Sequence, residues 1–533
     1  MARIQTALIT VADKTGVAQF AQRLVGLGVE LLATGGTARL LRERELEVTD
    51  VSEYTGFPEI LDGGLRVLHP KVTGGVLARR DQRHLRELEK LGIRTIDMVV
   101  VNLYPHVSLI SQPGVRQMQA IEDIDIAGPT VVRAAAKNYT HVAVVTNPAT
   151  YDSVAEELES NDVHLSEETH FKLALDAFRH TAHYDAAIAR YFASIHGEVG
   201  TALEQITLEY DKRQDLRYGE NPHQRAAFYV EQDVKEPSVS GARQVAGPVL
   251  SFSNALDLDA GIELAKEFER PVAVIVKLAN PCGVAVAKSL TRAYEKAYLA
   301  DPRAAFGSAV VLNRPLDADT ARAVAGPVVE VDGKPVPRLV ECLAAPGFED
   351  GALDALREKA DWAARTRLLE VGPLGPRARD EASKDFKRVT GGVLLQDRDL
   401  IGLDPGGLKV VTGTAPSAQQ MRNLKFAWLC CKHVTSNAIV VAKGKTLVGV
   451  GAGQMSRLDA TVLALTKAGA RARGAVLASD GFFRFPDAVQ RAAEAGVAAI
   501  IQSGGAEHDQ AVIEAAEQAG IAMVFTGIRH FRH

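Results

Sequence analysis

At 533 residues the chain exceeds what one hydrophobic core usually serves, so two or three domains are expected. Hydrophobic residues make up 47% and charged residues 24%, the profile of a globular enzyme, and a net charge of -5 argues against a general nucleic-acid or anionic-membrane binder. Four cysteines, two of them adjacent, form no disulfide framework, no apolar run is long enough to span a bilayer, and Met1-Ala2-Arg3 runs straight into a strand. A cytoplasmic protein without a signal peptide is expected.

Ile4 to Thr10 reads as a strand, Asp13-Lys-Thr-Gly16 as a turn, and Val17, Phe20, Ala21 and Leu24 then recur at helical spacing. A second unit follows: a strand over Val29 to Ala33, a tight turn Thr34-Gly35-Gly36-Thr37, and a helix over Ala38 to Arg44. Both turns fall at one edge of a parallel sheet, and each offers free backbone N–H groups at a helix amino terminus, where an anion is favoured. Thr10, Lys14, Thr34 and Thr37 add hydroxyls and a cation, so a phosphate cradle is expected; the alternative is that the threonines only cap a helix.

Further strands are expected at Met98 to Val101, leading into Asn102-Leu103-Tyr104-Pro105, and at Val142 to Thr146. Between them Asp125 precedes a helix ending at Lys137. The two are candidates for acid/base work, or else a cap and a solvated lysine. Residues 151–191 read as helical and 197–216 as a polar linker, giving domains at 1–196 and 217–533. Arg217-Tyr218-Gly-Glu-Asn-Pro-His-Gln224 opens the second domain. Strands are expected there at Val272 to Val276, Ala309 to Leu312, Leu408 to Thr412, Ala438 to Ala442, Ala475 to Ala478 and Ile521 to Phe525. Residues 348–388 read as a helix and a surface excursion.

In this domain Val272-Ala-Val-Ile-Val-Lys277 reads as a parallel strand covered on both faces, delivering Lys277 into a turn built from Asn280, Pro281 and Gly283. Lys277 either snorkels from a strand end or handles protons or an anion. Pro281-Cys282 lacks a second cysteine three residues on, where Ala285 stands, and no His-x-Glu motif leads into it, so no zinc is expected. Asn437 to Lys443, and Gly449 to Arg457 opening a helix, echo the Lys277 stretch. Two similar subdomains are expected, although no strict repeat period is visible.

Asp13-Lys-Thr-Gly16, Thr34-Gly-Gly-Thr37, Leu68-His-Pro-Lys71, Arg217 to Gln224, Lys277, Asn280-Pro-Cys-Gly283, Gly451-Ala-Gly-Gln-Met-Ser-Arg457 and Arg529-His-Phe-Arg-His533 occur in this order from end to end. Together they resemble the bifunctional purine biosynthesis family. The resemblance implies an α/β chain with a methylglyoxal-synthase-like first domain and a cytidine-deaminase-like transformylase domain in two subdomains. It implies formyl transfer from the co-substrate 10-formyltetrahydrofolate to the 5-amino group of aminoimidazole carboxamide ribotide (AICAR), without a tightly bound cofactor. The product FAICAR then closes to inosine monophosphate (IMP). A homodimer that binds neither nucleic acid nor membrane is implied as well.

Carried over residue by residue, the cyclohydrolase pocket comprises Lys14, Thr34, Gly35, Gly36, Thr37, Arg66, Asn102 and Leu103, with Tyr104, Asp125 and Lys137 around the reacting base. The formyltransferase site comprises Arg217, Tyr218, Asn280, Gly307, Glu341, Asn437, Arg457, Phe482, Asp487 and Arg529, with Lys277 and His533 in catalysis. Where the family has Lys-His, this sequence has Lys277-Leu278, so the histidine expected to shuttle the proton is missing. Gly63-Gly-Leu-Arg-Val-Leu-His-Pro70 also departs from the family pattern, as do Ala12 in place of a serine and Ala127 in place of a glycine. A relative that binds purine nucleotide with weak or lost formyl transfer is the competing expectation. A methylglyoxal-type lyase fused to an unrelated domain ranks last, because it leaves the second half unexplained.

Overall fold

A computed structural model of the chain describes residues 3–61, 65, 67–103, 116–198, 203–232, 234–376, 379 and 383–533. They form two compact units, Met1–Leu208 and Glu209–His533. Among the described residues no helix is long and apolar enough to cross a membrane.

Unit 1 is built on a parallel five-stranded sheet: β1 (Thr6–Ile9), β2 (Glu30–Ala33), β3 (Thr49–Asp50), β4 (Met98–Val100) and β5 (Ala143–Val145), in the order β3-β2-β1-β4-β5. The central strands are apolar apart from Thr6 and Glu30 at their starts, because helices cover both faces. These include α1 (Val17–Gly26), α2 (Gly35–Glu43), α3 (Pro70–Leu77), α4 (Ala127–Lys137) and the 30-residue α5 (Glu167–His196). The strand order reverses between β1 and β4, the point at which open α/β sheets leave a crevice at the strands' carboxyl ends. Gly35, expected in a turn, opens α2 instead, and its φ of 46° suits glycine.

Unit 2 opens with the hairpin β6 (Asp211–Leu216) and β7 (Ala226–Val230), so the final six residues of the expected linker are strand. Its body is a twelve-stranded sheet of two halves. The first half contains β8 (Arg243–Ala246), α6 (Phe252–Ala265), β9 (Val272–Lys277), β10 (Asn280–Val286), α7 (Leu290–Tyr298), β11 (Ser308–Leu312), α8 (Ala318–Val324), β12 (Val340–Ala345), α9 (Ala352–Lys359) and β13 (Arg367–Glu370). The second contains β14 (Lys409–Val410), α10 (Ala418–Lys432), β15 (Ile439–Lys443), β16 (Thr446–Gly451), α11 (Arg457–Ala468), β17 (Val476–Ser479), α12 (Asp487–Glu494), β18 (Ala499–Gln502), α13 (Asp509–Gln518) and β19 (Ala522–Phe525). The sheet order is β14-β19-β18-β17-β15-β16-β10-β9-β11-β12-β13-β8, so the two halves have the same topology and meet at β16 and β10.

The repeat is invisible as a pattern but has a constant offset of 166 positions through its first half. Ser251 and Ser417 open α6 and α10 with capping boxes, Lys266 and Lys432 end them, and Gly283 and Gly449 pass under α7 and α11. At each of these two glycines a Cβ would lie 2.1 Å from a helix carbonyl oxygen, of Ala297 or Ala464, so close strand–helix packing requires glycine. Glu267 and His433 share the offset and bond to each other at 2.8 Å, as residues on an internal two-fold axis do. One core joins α6 and α10 on one face of the sheet; the other face carries a separate core for each half.

Four expectations are corrected. β9 is antiparallel to both neighbours: a two-residue turn returns the chain at once into β10, and the crossover through α7 then lays β11 in the direction of β10 on the other side of β9. Asn280, Pro281 and Gly283 lie in β10, with Pro281 at an irregularity in the ladder; the turn is Leu278-Ala279. Within the span read as a surface excursion, Arg367–Glu370 is a strand of the main sheet. The strand expected over Leu408 to Thr412 shrinks to Lys409–Val410 at the sheet's edge.

Candidate active sites

In unit 1 the carboxyl ends of β1, β2 and β4 converge. Thr34 caps α2 only through its extended backbone; its hydroxyl lies 2.9 Å from the hydroxyl of Thr10. The first N–H groups of α2 therefore have no side-chain cap, and no acidic residue in the first turn offsets the helix dipole. Lys14 Nζ donates to the Val11 carbonyl and, at 2.8 Å, to Thr37 Oγ1. Asn102 Oδ1 accepts from the N–H groups of Ala12 and Asp13 at 2.6 and 2.8 Å, and its Nδ2 returns a bond to the Asp13 carbonyl at 3.0 Å. Thus Lys14, Thr34, Gly35, Gly36, Thr37 and Asn102 form one anion-suited pocket edge.

Asp125 stands at the same edge, where its Oδ1 accepts the Gly128 N–H at 2.8 Å, so the capping role is real. Two residues of α5 that no sequence motif singles out reach this edge. His180 Nε2 accepts the Leu103 N–H at 3.1 Å, and Tyr184 Oη accepts the Asp125 N–H at 2.7 Å. Burial, with His183 adding to it, lowers the His180 pKa and favours the neutral ring this bond needs. Lys137 is the exposed last residue of α4, a helix roughly 15 Å long, and Asp125 precedes its first turn, so the chain does not bring the two around one base. Tyr104, Arg66 and the Gly63-Gly64 pair lie outside the described residues. His69 of the Leu68 to Lys71 motif caps α3, its Nδ1 accepting the Lys71 N–H at 3.1 Å.

In unit 2, Lys277 is the last residue of β9 and its Nζ donates to the carbonyls of Gly307 and Phe306 at 2.6 and 3.2 Å. Gly307 is left-handed, with a φ of 66°, and a Cβ there would meet Lys277 Nζ at 3.2 Å and Glu341 Oε1 at 3.5 Å. Lys277, Gly307 and Glu341 are therefore together. Asn254 and Asp257, from the first turns of α6, complete the cluster: Asn254 Nδ2 donates to Glu341 Oε2 at 3.1 Å, and Asp257 Oδ1 accepts the Ala279 N–H at 2.6 Å. Burial raises the Asp257 pKa, while the Ala279 bond and the Lys277 charge lower it.

Leu278 and Ala279 have φ of 53° and 56°, the two-residue turn that matches strand twist but ordinarily uses Asn or Gly. Left-handed backbone costs non-glycine residues roughly 1–2 kcal/mol each, comparable with the about 1.5–3 kcal/mol of a hydrogen bond to a charged group. Leu278 is 76% exposed at the tip.

Asn280 joins this cluster to a second one, its Oδ1 accepting the Thr435 N–H at 2.9 Å. There Arg457 donates to Asn437 Oδ1 at 2.6 Å and pairs with the buried Asp480 at 3.0 Å, its guanidinium lying over Phe482 and Phe531. Arg529 covers Phe531 from 4.5 Å, and the carbonyl of His533 accepts from Lys387 at 3.0 Å. Asp487 begins α12, and Arg217 stacks on Tyr218 beside the separate β6–β7 hairpin. A cavity of about 200 Å³ beside Lys277 runs between the two halves, lined by Asn280, Cys282, Asp301, Gly449 and Lys467. Among the described residues no group of three or more His, Cys, Asp or Glu is arranged to hold a metal.

Residues 135–467 match the family model described as AICARFT/IMPCHase bienzyme, and residues 16–130 match the MGS-like domain. A solved structure titled "Crystal structure of ForH" is similar at 36% sequence identity, covering 36% of this chain and 99% of that chain, with a TM-score of 0.33.

Proposed function

The chain belongs to the AICARFT/IMPCHase bienzyme family, and we propose that it catalyses both ring closure and, slowly, formyl transfer. The observation that carries the reading is the Lys277 ammonium held on the Gly307 carbonyl, with Glu341 and Asp257 beside it. In the transfer, the AICAR amine attacks the formyl carbon of 10-formyltetrahydrofolate, loses a proton, and expels the folate nitrogen, which takes a proton up. Lys277 supplies positive charge where the formyl oxygen becomes an oxyanion. With leucine at 278, no histidine in this motif accepts the amine proton, and a positioned general base typically contributes about 10²- to 10⁴-fold.

In unit 1 the Lys14 and Thr34 to Thr37 cradle holds the 5′-phosphate of FAICAR. Its carboxamide nitrogen attacks the formyl carbon, and water leaves to give IMP. Asn102 and Asp125 flank the base; Lys137, at the far end of α4, has no part within the same protomer. Because the family shares its transformylase site between two chains, a homodimer belongs to the proposal, to be checked by sedimentation.

A second reading, nucleotide binding without formyl transfer, is favoured by Leu278 alone. Supplying FAICAR directly and following IMP tests the cyclohydrolase, and Lys14→Ala should weaken nucleotide binding about tenfold, a typical loss for one charged contact. Unchanged affinity by calorimetry would remove the phosphate cradle from the account.

A further inference from the structure

Asp257 lies in α6, not in the hairpin it touches. It is 7% exposed, and the 2.6 Å bond from the Ala279 N–H is its contact with the Leu278-Ala279 turn. The equivalent turn of the other half uses Gly444 and Lys445, with φ of 60° and 57°. Glycine adopts that conformation without a steric penalty. The residue equivalent to Asp257 is Asn423, which accepts a bond from its helical neighbour Gln419 at 3.0 Å. So where the turn has a glycine, the helix residue bonds within its own helix; where the turn has leucine and alanine, the helix offers a carboxylate to the turn.

We propose that Asp257 is a positioning residue for formyl transfer: it holds the glycine-free turn closed, and with it the register that sets Lys277 on the Gly307 carbonyl. Asn254 supports the opposite side of the cluster by fixing Glu341, so α6 braces the site at two points one helical turn apart. The inference rests on the formyl-transfer reading for its kinetics but not for its structure. Asp257 acts through the turn and touches no reacting atom.

The test compares Asp257→Ala, Asp257→Asn and Leu278→Gly, singly and combined, by steady-state formyl transfer and by hydrogen–deuterium exchange of the peptide spanning 272–286. Asp257→Ala should lower kcat about 10- to 100-fold with KM nearly constant, the size of loss expected from a misplaced catalytic group. It should also expose the Ala279 amide to exchange. Asp257→Asn keeps an acceptor oxygen and should retain most of the activity. Leu278→Gly should restore most of what Asp257→Ala loses, because glycine holds the turn unaided. No rescue by glycine, or equal losses in the Asn and Ala variants, would overturn the proposal, the latter by assigning the effect to charge beside Lys277. Should Asp257→Ala fail to fold, the Asn variant and the exchange of the parent protein still decide, since a freely exchanging Ala279 amide in the parent contradicts the bond. If the parent transfers no formyl group, the functional reading fails while the exchange result still judges the turn.

Discussion

The hairpins β9–β10 and β15–β16 stand at equivalent places in the two halves of unit 2, and each ends its first strand in a lysine followed by two left-handed residues. Lys443 is exposed and donates to the Arg473 carbonyl at 2.7 Å, tying down a surface loop. Lys277 is partly buried among backbone carbonyls and two carboxylates. The features both halves share are those that packing enforces: glycines under helices, capping boxes and lysines at helix ends. The features in which they differ gather around one turn, so the repeat built a scaffold and only one of its copies of this edge carries the proposed chemistry.

Replacing each lysine should break that symmetry most. Lys277→Ala should cut formyl transfer by about 10³-fold, the loss of a charge at a developing oxyanion, whereas Lys443→Ala should remain within about threefold of the parent. Equal losses would mean that the hairpins matter only for stability.

The glycines should show the opposite, equal behaviour. Gly283→Ala and Gly449→Ala each drive a Cβ into a helix carbonyl, and each should destabilise unit 2 by about 3 kcal/mol or more, read as a drop in urea midpoint. A large difference between them would show that the halves are packed less alike than their backbones suggest.

Leu278→His returns a titratable group at a left-handed position that histidine tolerates, and should raise kcat by about 10-fold or more with little change in KM. An unchanged or lower kcat would mean that another group already takes the proton, with His223 and His533 next to be replaced.

The smallest effect lies outside the repeat. Burial holds the His180 pKa below its ordinary 6.5, so the stability linked to it is present above 6.5 and lost as pH falls through the lower folded value. Unit 1 should therefore lose stability as pH falls below 6.5, and His180→Gln should flatten that slope in thermal melts.

Much of this was legible in the sequence for identifiable reasons. Runs such as Val272 to Val276 announce buried strands, and Thr34-Gly-Gly-Thr37 announces a helix start suited to an anion. The direction of β9 was not legible, because direction depends on the turn, and Leu278-Ala279 lacks the Asn or Gly that signals a hairpin. Arg367–Glu370 was missed because its flanking charges mask a short strand held by sheet neighbours rather than by its own pattern. Asn254 and Asp257 read as ordinary helix residues; only the meeting of α6 with β9 and β12 gives them a role. Lys137 shows the reverse, a residue that the family resemblance puts beside Asp125 and that lies at the other end of α4.

Whether a leucine-bearing Lys277 site still transfers formyl groups is decided by giving the purified protein AICAR and 10-formyltetrahydrofolate and following tetrahydrofolate and IMP separately. Slow release of tetrahydrofolate matched one for one by IMP, well above the rate without enzyme, is expected. IMP formed from added FAICAR, with no tetrahydrofolate released from the full substrate pair, would mean that the Lys277 site has lost formyl transfer.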